Sequence, residues 1–281
     1  MSKSIEQSIK AKIRQISEAE TKPFNEVWNA LIIERFLARL SHSDYKADFI
    51  LKGGQLLAQY IELRRHTRDL DFLIRNINQD ANVIEGVFKL IMNVKTNDGF
   101  TFKDVQSSHL TQEHMKYPGL RINTTVLLGG TKTKLTIDIG FGDIVSEHKL
   151  NIPLLKTSKA SLFEDSISLQ VYPPEFIFSE KLEAAVNKGA INSRMKDYHD
   201  LYLLINAKIL DTQKLFQAIK QTFKNRKTEI TNPPLFFKPE ALKDLEVRWK
   251  AHLRGLGEET ILPKDISDII DYINEYMKKI L

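Results

Sequence analysis

The chain contains no cysteine. This excludes disulfides, thiolate nucleophiles and cysteine-ligated zinc, and it fits a reducing compartment. Long apolar runs are also missing. No stretch approaches the roughly 18 residues that a membrane span requires. Met1-Ser2-Lys3-Ser4-Ile5-Glu6 has no apolar signal core. The expected location is therefore the cytoplasm, with no membrane contact. Seven histidines are present, but none stands in a His-Glu-x-x-His zinc spacing. There is no Gly-x-Ser-x-Gly elbow, no dinucleotide fingerprint, and no kinase glycine loop with an His-Arg-Asp string. A Ser-His-Asp triad need not be contiguous in sequence, yet nothing signals one. Internal repeats and low-complexity tails are absent.

What remains is an ordinary soluble composition. With 281 residues, 42% of them hydrophobic, the chain can build one large domain or two modest ones. The net charge of +5 is mild but uneven. Between Lys188 and Lys227 nine basic residues face three acids, Asp197, Asp200 and Asp211. Such an excess suits a polyanion such as nucleic acid, and it equally suits a solvated helical surface.

One stretch organises the rest: Lys52-Gly53-Gly54-Gln55-Leu56-Leu57, then Arg65-His66-Thr67-Arg68-Asp69-Leu70-Asp71-Phe72. It reads as a tight turn, a helix, and a strand carrying two acids. The glycines permit a sharp turn and close approach of a ligand. Leu56, Leu57, Tyr60 and Ile61 have helical spacing. The free N–H groups at the start of that helix form a natural seat for phosphate. In the following strand Leu70, Phe72 and Ile74 share one face, and Asp69 and Asp71 share the other. Adjacent carboxylates repel unless a proton or a cation intervenes. Their oxygens suit Mg²⁺ (or Mn²⁺), which also bridges to phosphates. This is the equipment of a phosphoryl or nucleotidyl transferase.

Gly53-Gly54 with Asp69-x-Asp71 resembles the first signature of polymerase-beta-type nucleotidyltransferases. The longer strings, Phe49-Ile50-Leu51-Lys52-Gly53-Gly54 and Arg65-x-Thr67-Arg68-Asp69-Leu70-Asp71-Phe72, resemble the AbiEii/AbiGii toxin family, which includes the MenT toxins. The resemblance implies an NTP substrate, Mg²⁺ at Asp69 and Asp71, and phosphate contacts at Gly53, Gly54, Thr67 and Arg68. It also implies a toxin of a toxin–antitoxin or phage-defence system, with an antitoxin encoded separately. Some members of the family modify the 3′ end of tRNA.

Residues 4–20 and 24–40 read as helices, the second with Val27, Trp28, Leu31, Ile32, Phe36, Leu37 and Leu40 at a 3.6 period. Glu34 and Arg35 are expected to face solvent. Strands are expected at 49–51, 70–74, 101–106, 120–128 and 134–139, with a helix at 80–92. Gly129-Gly130 reads as a hairpin turn rather than a phosphate loop. Leu135, Ile137 and Ile139 alternate with Thr136 and Asp138. A third carboxylate is what a two-metal site requires. By resemblance Asp138 completes the metal set and helps activate the attacking hydroxyl; Asp143 is the competitor. Residues 150–166 look irregular, and 168–171 read as an edge strand.

Pro173-Pro174 marks a change to helical character. The expected architecture is α/β (α+β): a nucleotidyltransferase domain over 1–172, with a small mixed sheet flanked by helices, then an all-helical domain over 173–281, the site lying in a cleft between them. In the second half Lys181, and then Arg194-Met195-Lys196-Asp197-Tyr198-His199-Asp200, resemble the family's later motifs. Lys181 and Arg194 would meet the triphosphate, and Asp197 or Asp200 would orient the lysine, a base or the sugar. Ser193 is a natural cap for that helix. Without the resemblance, Arg194–Asp197 and Lys196–Asp200 are ordinary surface pairs. The pair Phe236-Phe237 beside Lys238, or Trp249 between Arg248 and Lys250, can stack on an unpaired base, although such aromatics more commonly belong to a core.

The sequence thus points to an Mg²⁺-dependent nucleotidyltransferase toxin, with tRNA as the acceptor that the resemblance suggests. A non-catalytic nucleotide- or RNA-binding protein is the alternative of a different class. A protein or small-molecule acceptor is the alternative within the same chemistry.

Overall fold

The computed structural model describes residues 2–63, Arg65, Thr67, and residues 69–110, 119–146, 148–257 and 261–281. Chain contacts divide it into two units. The first comprises Met1–Gln55, Arg68–Gly142 and Glu147–Val171; the second comprises Leu56–Thr67, Asp143–Ser146 and Tyr172–Leu281.

The first unit opens with two helices, α1 (Ser2–Ala19) and α2 (Phe24–Ser41). Strand β1 (Phe49–Lys52) runs directly into α3 (Gly53–Tyr60), followed by β2 (Leu70–Ile74) and α4 (Ala81–Met92). Asp80 caps α4, accepting from the N–H groups of Asn82 and Val83, an arrangement worth about 1 kcal/mol. Then come β3 (Thr101–His109), β4 (Leu120–Leu128), β5 (Thr131–Gly140), β6 (Lys149–Pro153) and β7 (Ser166–Val171).

The seven strands make one mixed sheet in the order β3-β4-β5-β2-β1-β7-β6. β2 pairs parallel with β5, β1 pairs parallel with β7, and the remaining neighbours are antiparallel. Gly129-Gly130 joins the antiparallel β4 and β5, as a hairpin turn should. Two expectations need correction. Part of the supposedly irregular 150–166 region is β6, and β7 is not an edge because β6 covers it. Pro153 ends β6 at the sheet's edge, where a missing N–H breaks no ladder.

Alternation explains the core of this unit. Phe72 points away from the acids and meets Phe36 of α2 and Phe49 of β1 at ring-centroid distances of 6.1 and 5.6 Å. Phe88 of α4 stacks on Phe36 at 5.8 Å. All four rings are fully buried. Each such side chain contributes about 1.5–3 kcal/mol by leaving water. With one sheet face filled by aromatics, the residues alternating with them are left for chemistry.

Glu34 and Arg35 do not face solvent, contrary to expectation. Arg35 is fully buried, with Nη2 2.7 Å from Glu164 and its guanidinium 4.2 Å from the Phe163 ring centroid. The Glu34 carboxylate accepts the Leu155 N–H at 2.7 Å, and burial pushes its pKa up to about 8. α2 is therefore covered on more of its circumference than an amphipathic stripe implies. Arg39 forks Asp98 with two short bonds on the same helix side.

In the second unit all elements after Tyr172 are helical: α5 (Pro174–Lys188), a 3-10 turn (Gly189–Ile191), α6 (Met195–Ala207), α7 (Thr212–Arg226), α8 (Pro239–Leu256) and α9 (Ile266–Met277). α6 starts two residues beyond the expected cap. Arg194 occupies the cap position without a side-chain bond, and the Asn192 side chain accepts the Arg194 N–H at 2.8 Å instead of Ser193 capping the helix. Leu201, Leu204, Leu215, Leu245 and Ile273 fill this core. Nine α-helices occur among the described residues, and none is long and apolar enough to cross a membrane.

Candidate active site

Cross-strand register builds the first part of the site. Lys52 of β1 lies opposite Asp71 of β2, Asp71 opposite Asp138 of β5, and Asp138 opposite Arg121 of β4. Residues directly opposite one another share a sheet face. Four adjacent strands thus present a row of side chains: lysine, aspartate, aspartate, arginine. The alternation in β2 that sends Phe72 into the core puts Asp71 in this row, and Asp69 is exposed just before the strand.

Gly53 shapes the row's edge. Its φ is +73°, in the left-handed region that favours glycine. A Cβ added there would lie 2.0 Å from Asp71 Oδ2 and 2.7 Å from its carboxyl carbon. The backbone at the start of α3 therefore sits against the Asp71 carboxylate as only glycine allows. Gly54 is half-buried in the first turn, where N–H groups lack helical partners.

Arg121 closes the far side. Its Nε and Nη2 each donate to an Asp138 oxygen at 2.7 Å. Those bonds raise its pKa; partial burial opposes the rise, and the charges of Asp138, Asp69 and Asp71 add to it. One guanidinium is thus the shared counter-ion of three carboxylates. The donor chemistry fits a divalent cation at Asp69 and Asp71, with Asp138 in register beside them. Among the described residues no cluster of three His, Cys, Asp or Glu side chains is already gathered for a metal. Asp138 is turned to Arg121.

The second unit holds a separate charged network. Lys181 of α5 lies 2.7 Å from Asp200 and 3.2 Å from Asp197, both on α6. Arg65 forks Asp200 at 2.8 and 2.7 Å, and Arg194 reaches Asp197 at 3.2 Å. Asp197 and Asp200 are fully buried. Burial pushes the Asp200 carboxyl up, but Lys181 and Arg65 outweigh it and hold the pKa at about 2. Burial likewise lowers Lys181, and the charges of Asp200 and Asp197 reverse that, leaving it raised. Three cations thus share two carboxylates. The expected surface pair Lys196–Asp200 is superseded, because Asp200 turns inward.

Asp143, the competitor for the third acid, belongs to another cluster of this unit. It lies 3.5 Å from Arg226, which also binds Glu180 at 2.9 Å and Glu183 at 3.0 Å.

The sequence profile described as nucleotidyl transferase AbiEii toxin, Type IV TA system, matches residues 35–272, most of the chain. The chain belongs to this AbiEii family. It is accordingly a nucleotidyltransferase toxin of a Type IV toxin–antitoxin system, which implies an NTP substrate and a separate antitoxin. The fold agrees with two Helicobacter pylori crystal structures. JHP933 is 17% identical with a TM-score of 0.50, covering 91% of this chain and 94% of its own. A candidate nucleotidyltransferase is 15% identical with a TM-score of 0.51, covering 92% of this chain and 98% of its own. No curated protein matches the chain.

Of the residues picked from sequence in this AbiEii protein, the structure brings Gly53, Asp69, Asp71 and Asp138 together on one unit, and Lys181, Arg194, Asp197 and Asp200 on the other. Thr67 is half-buried. Arg68 lies outside the described residues. Sequence reasoning missed Arg121 and gave Lys52 and Arg65 no role. The signal for Arg121 was present, since pairing β4 with β5 through the Gly129-Gly130 hairpin puts it opposite Asp138.

Proposed function

We propose that this AbiEii protein transfers a nucleoside monophosphate from an NTP to the 3′ hydroxyl of an RNA acceptor, tRNA being the acceptor class the family resemblance suggests. The observation that carries the reading is the in-register Asp71–Asp138 pair beside the Gly53 turn. The acceptor oxygen attacks the α-phosphorus, the bond to the bridging oxygen breaks, and pyrophosphate leaves with the electron pair. Asp69, Asp71 and Asp138 are the residues that would hold Mg²⁺ (or Mn²⁺). Bound there, the ion would supply positive charge opposite the triphosphate.

This chain's own groups do the positioning. Gly53 and Gly54 offer backbone N–H groups to the β and γ phosphates. Asp138 helps take the acceptor proton. Lys181, oriented by Asp197 and Asp200, neutralises the triphosphate, and Arg194, Thr67 and Arg68 add contacts. The Lys181 ammonium, already fixed by Asp197 and Asp200, supports the reading as a positioned charge for an anionic ligand. In this reading residues 1–172 are the nucleotidyltransferase domain and 173–281 the helical domain. The end of the last strand at Val171 and the helices from Pro174 onward support that division.

The test is one incubation of protein, Mg²⁺ and total bacterial tRNA with each labelled NTP in turn. Label on tRNA, with one NTP preferred, is expected. Asp71→Asn should lose transfer by about a hundredfold or more while keeping its circular dichroism spectrum. Label on a protein or another cell component would retire the RNA acceptor and keep the transferase.

A further inference from the structure

The three aromatics near basic residues differ in exposure, Phe237 being half-buried between the extremes of Trp249 and Phe236. Trp249 is fully buried, its indole N–H donating to the Pro263 carbonyl at 3.0 Å. Phe236 is 79% exposed, although its neighbour Leu235 is fully buried and fixed through the Asn274 side chain. An anchored backbone therefore holds a large apolar ring out in water. The ring lines a shallow depression of about 240 Å³ with Phe237, Lys238, Val186 and Gly189. That is below the ~300–1,000 Å³ of ordinary small-molecule pockets, a space for one ring rather than a whole nucleotide. Ile191, at the end of the 3-10 turn that begins with Gly189, is 80% exposed.

The surroundings are cationic. Lys188 ends α5 beside Gly189, and Lys238 precedes α8. Burial lowers the Lys188 pKa and Arg194 and Lys196 add to the lowering, while Asp197 and Glu183 oppose it, so cations and acids are mixed around Lys188. The nearby acids are occupied. Asp197 is held by Lys181 and Arg194, and Glu183 is held by Arg226 and Thr228. Glu240 in the first turn of α8 and Asp244 one turn later are exposed exceptions. The charge also leads somewhere. Arg194 touches Asp197, and Asp197 touches Lys181. Along α5, Val186 stands about 7.5 Å of helix rise beyond Lys181.

We propose that Phe236 is a stacking platform for an unpaired nucleobase of the RNA acceptor, with Lys188 and Lys238 holding the adjoining phosphates. The inference rests on the RNA-acceptor reading and names the surface that reading needs. Any base can stack on a phenyl face, so the platform tolerates sequence. The cations follow the backbone, so binding weakens with salt.

The test measures binding rather than transfer. Fluorescence anisotropy with a labelled single-stranded RNA oligonucleotide reads Kd for wild type, Phe236→Ala, Phe236→Trp and Lys188→Gln. Phe236→Ala should weaken binding by about fivefold or more, while Phe236→Trp keeps it. Lys188→Gln should reduce the slope of log K against log salt by about one. Unchanged RNA affinity in a folded Phe236→Ala would overturn the platform, even if label still reached tRNA. Loss of binding in Phe236→Ala with label reaching a non-RNA acceptor would uphold the platform and fail the acceptor reading.

Discussion

Arg121 and Asp138 stand directly opposite each other on adjacent antiparallel strands and close a two-point ion pair, each N···O distance 2.7 Å. The same guanidinium interacts with Asp69 and Asp71. The acid site therefore carries its own cation. Removing that cation should help a divalent ion. At roughly 5 Å in water, a unit charge repels a divalent ion by about 1.7 kcal/mol. Arg121→Gln should accordingly tighten Mn²⁺ binding by about tenfold, read by calorimetry or by the free-Mn²⁺ electron spin resonance signal. Unaltered or weaker Mn²⁺ affinity would show that Arg121 does not compete for these acids.

Gly53→Ala tests the close approach of backbone to carboxylate. The new Cβ would fall 2.0 Å from Asp71 Oδ2 and 2.9 Å from Asp71 Cβ, so the acid must swing away. A non-glycine residue at φ +73° also costs about 1–3 kcal/mol. The variant should melt lower, and Mg²⁺–NTP should no longer raise its melting temperature. A variant that Mg²⁺–NTP stabilises as well as wild type would separate Gly53 from the nucleotide.

Asp200 holds Lys181 and Arg65 at once, from a fully buried position. Asp200→Asn leaves two buried cations with less than their partner, a change worth about 3–5 kcal/mol. Urea denaturation should report that loss. The sign of the pH effect follows from the depressed pKa. The Asp200 contribution is complete above the ordinary value of 3.8 and is lost as pH falls through about 2. A variant as stable as wild type would mean that Lys181 and Arg65 find other partners.

His199 gives a second, separable pH effect. Its Nδ1 lies 3.1 Å from Nε2 of His252, whose ring in turn packs on Trp249. Burial lowers the His199 pKa to about 4, nearby Asp200 opposes, and His252, Arg65 and Lys181 add to the lowering. The unfolded chain takes up its proton near 6.5, earlier than the folded one. Stability is then full above pH 6.5 and declines towards pH 4, by about 3 kcal/mol in all. His199→Gln should flatten the melting temperature over that window. An equally steep decline in the variant would assign the effect elsewhere.

Most elements of the fold, and the placing of Asp71 and Asp138 on strands, could be read from local sequence. The Gly53 turn, the β2 alternation that separates Asp71 from Phe72, the β4–β5 hairpin and α5 are all local patterns, set by backbone sterics and side-chain period. Family membership was legible for the same reason, since Lys52-Gly53-Gly54 and Asp69-x-Asp71 lie close together in the chain. The partners, by contrast, came from long-range pairing. Asp138 reaches Asp71 through a parallel pairing that no local rule specifies. Asp200 turns inward because Arg65, far away in sequence, supplies the charge that burial demands. Arg35 is buried and Phe236 exposed, each against its type's preference. Hydropathy is a property of one residue, whereas burial and charge pairing depend on what the folded chain brings alongside.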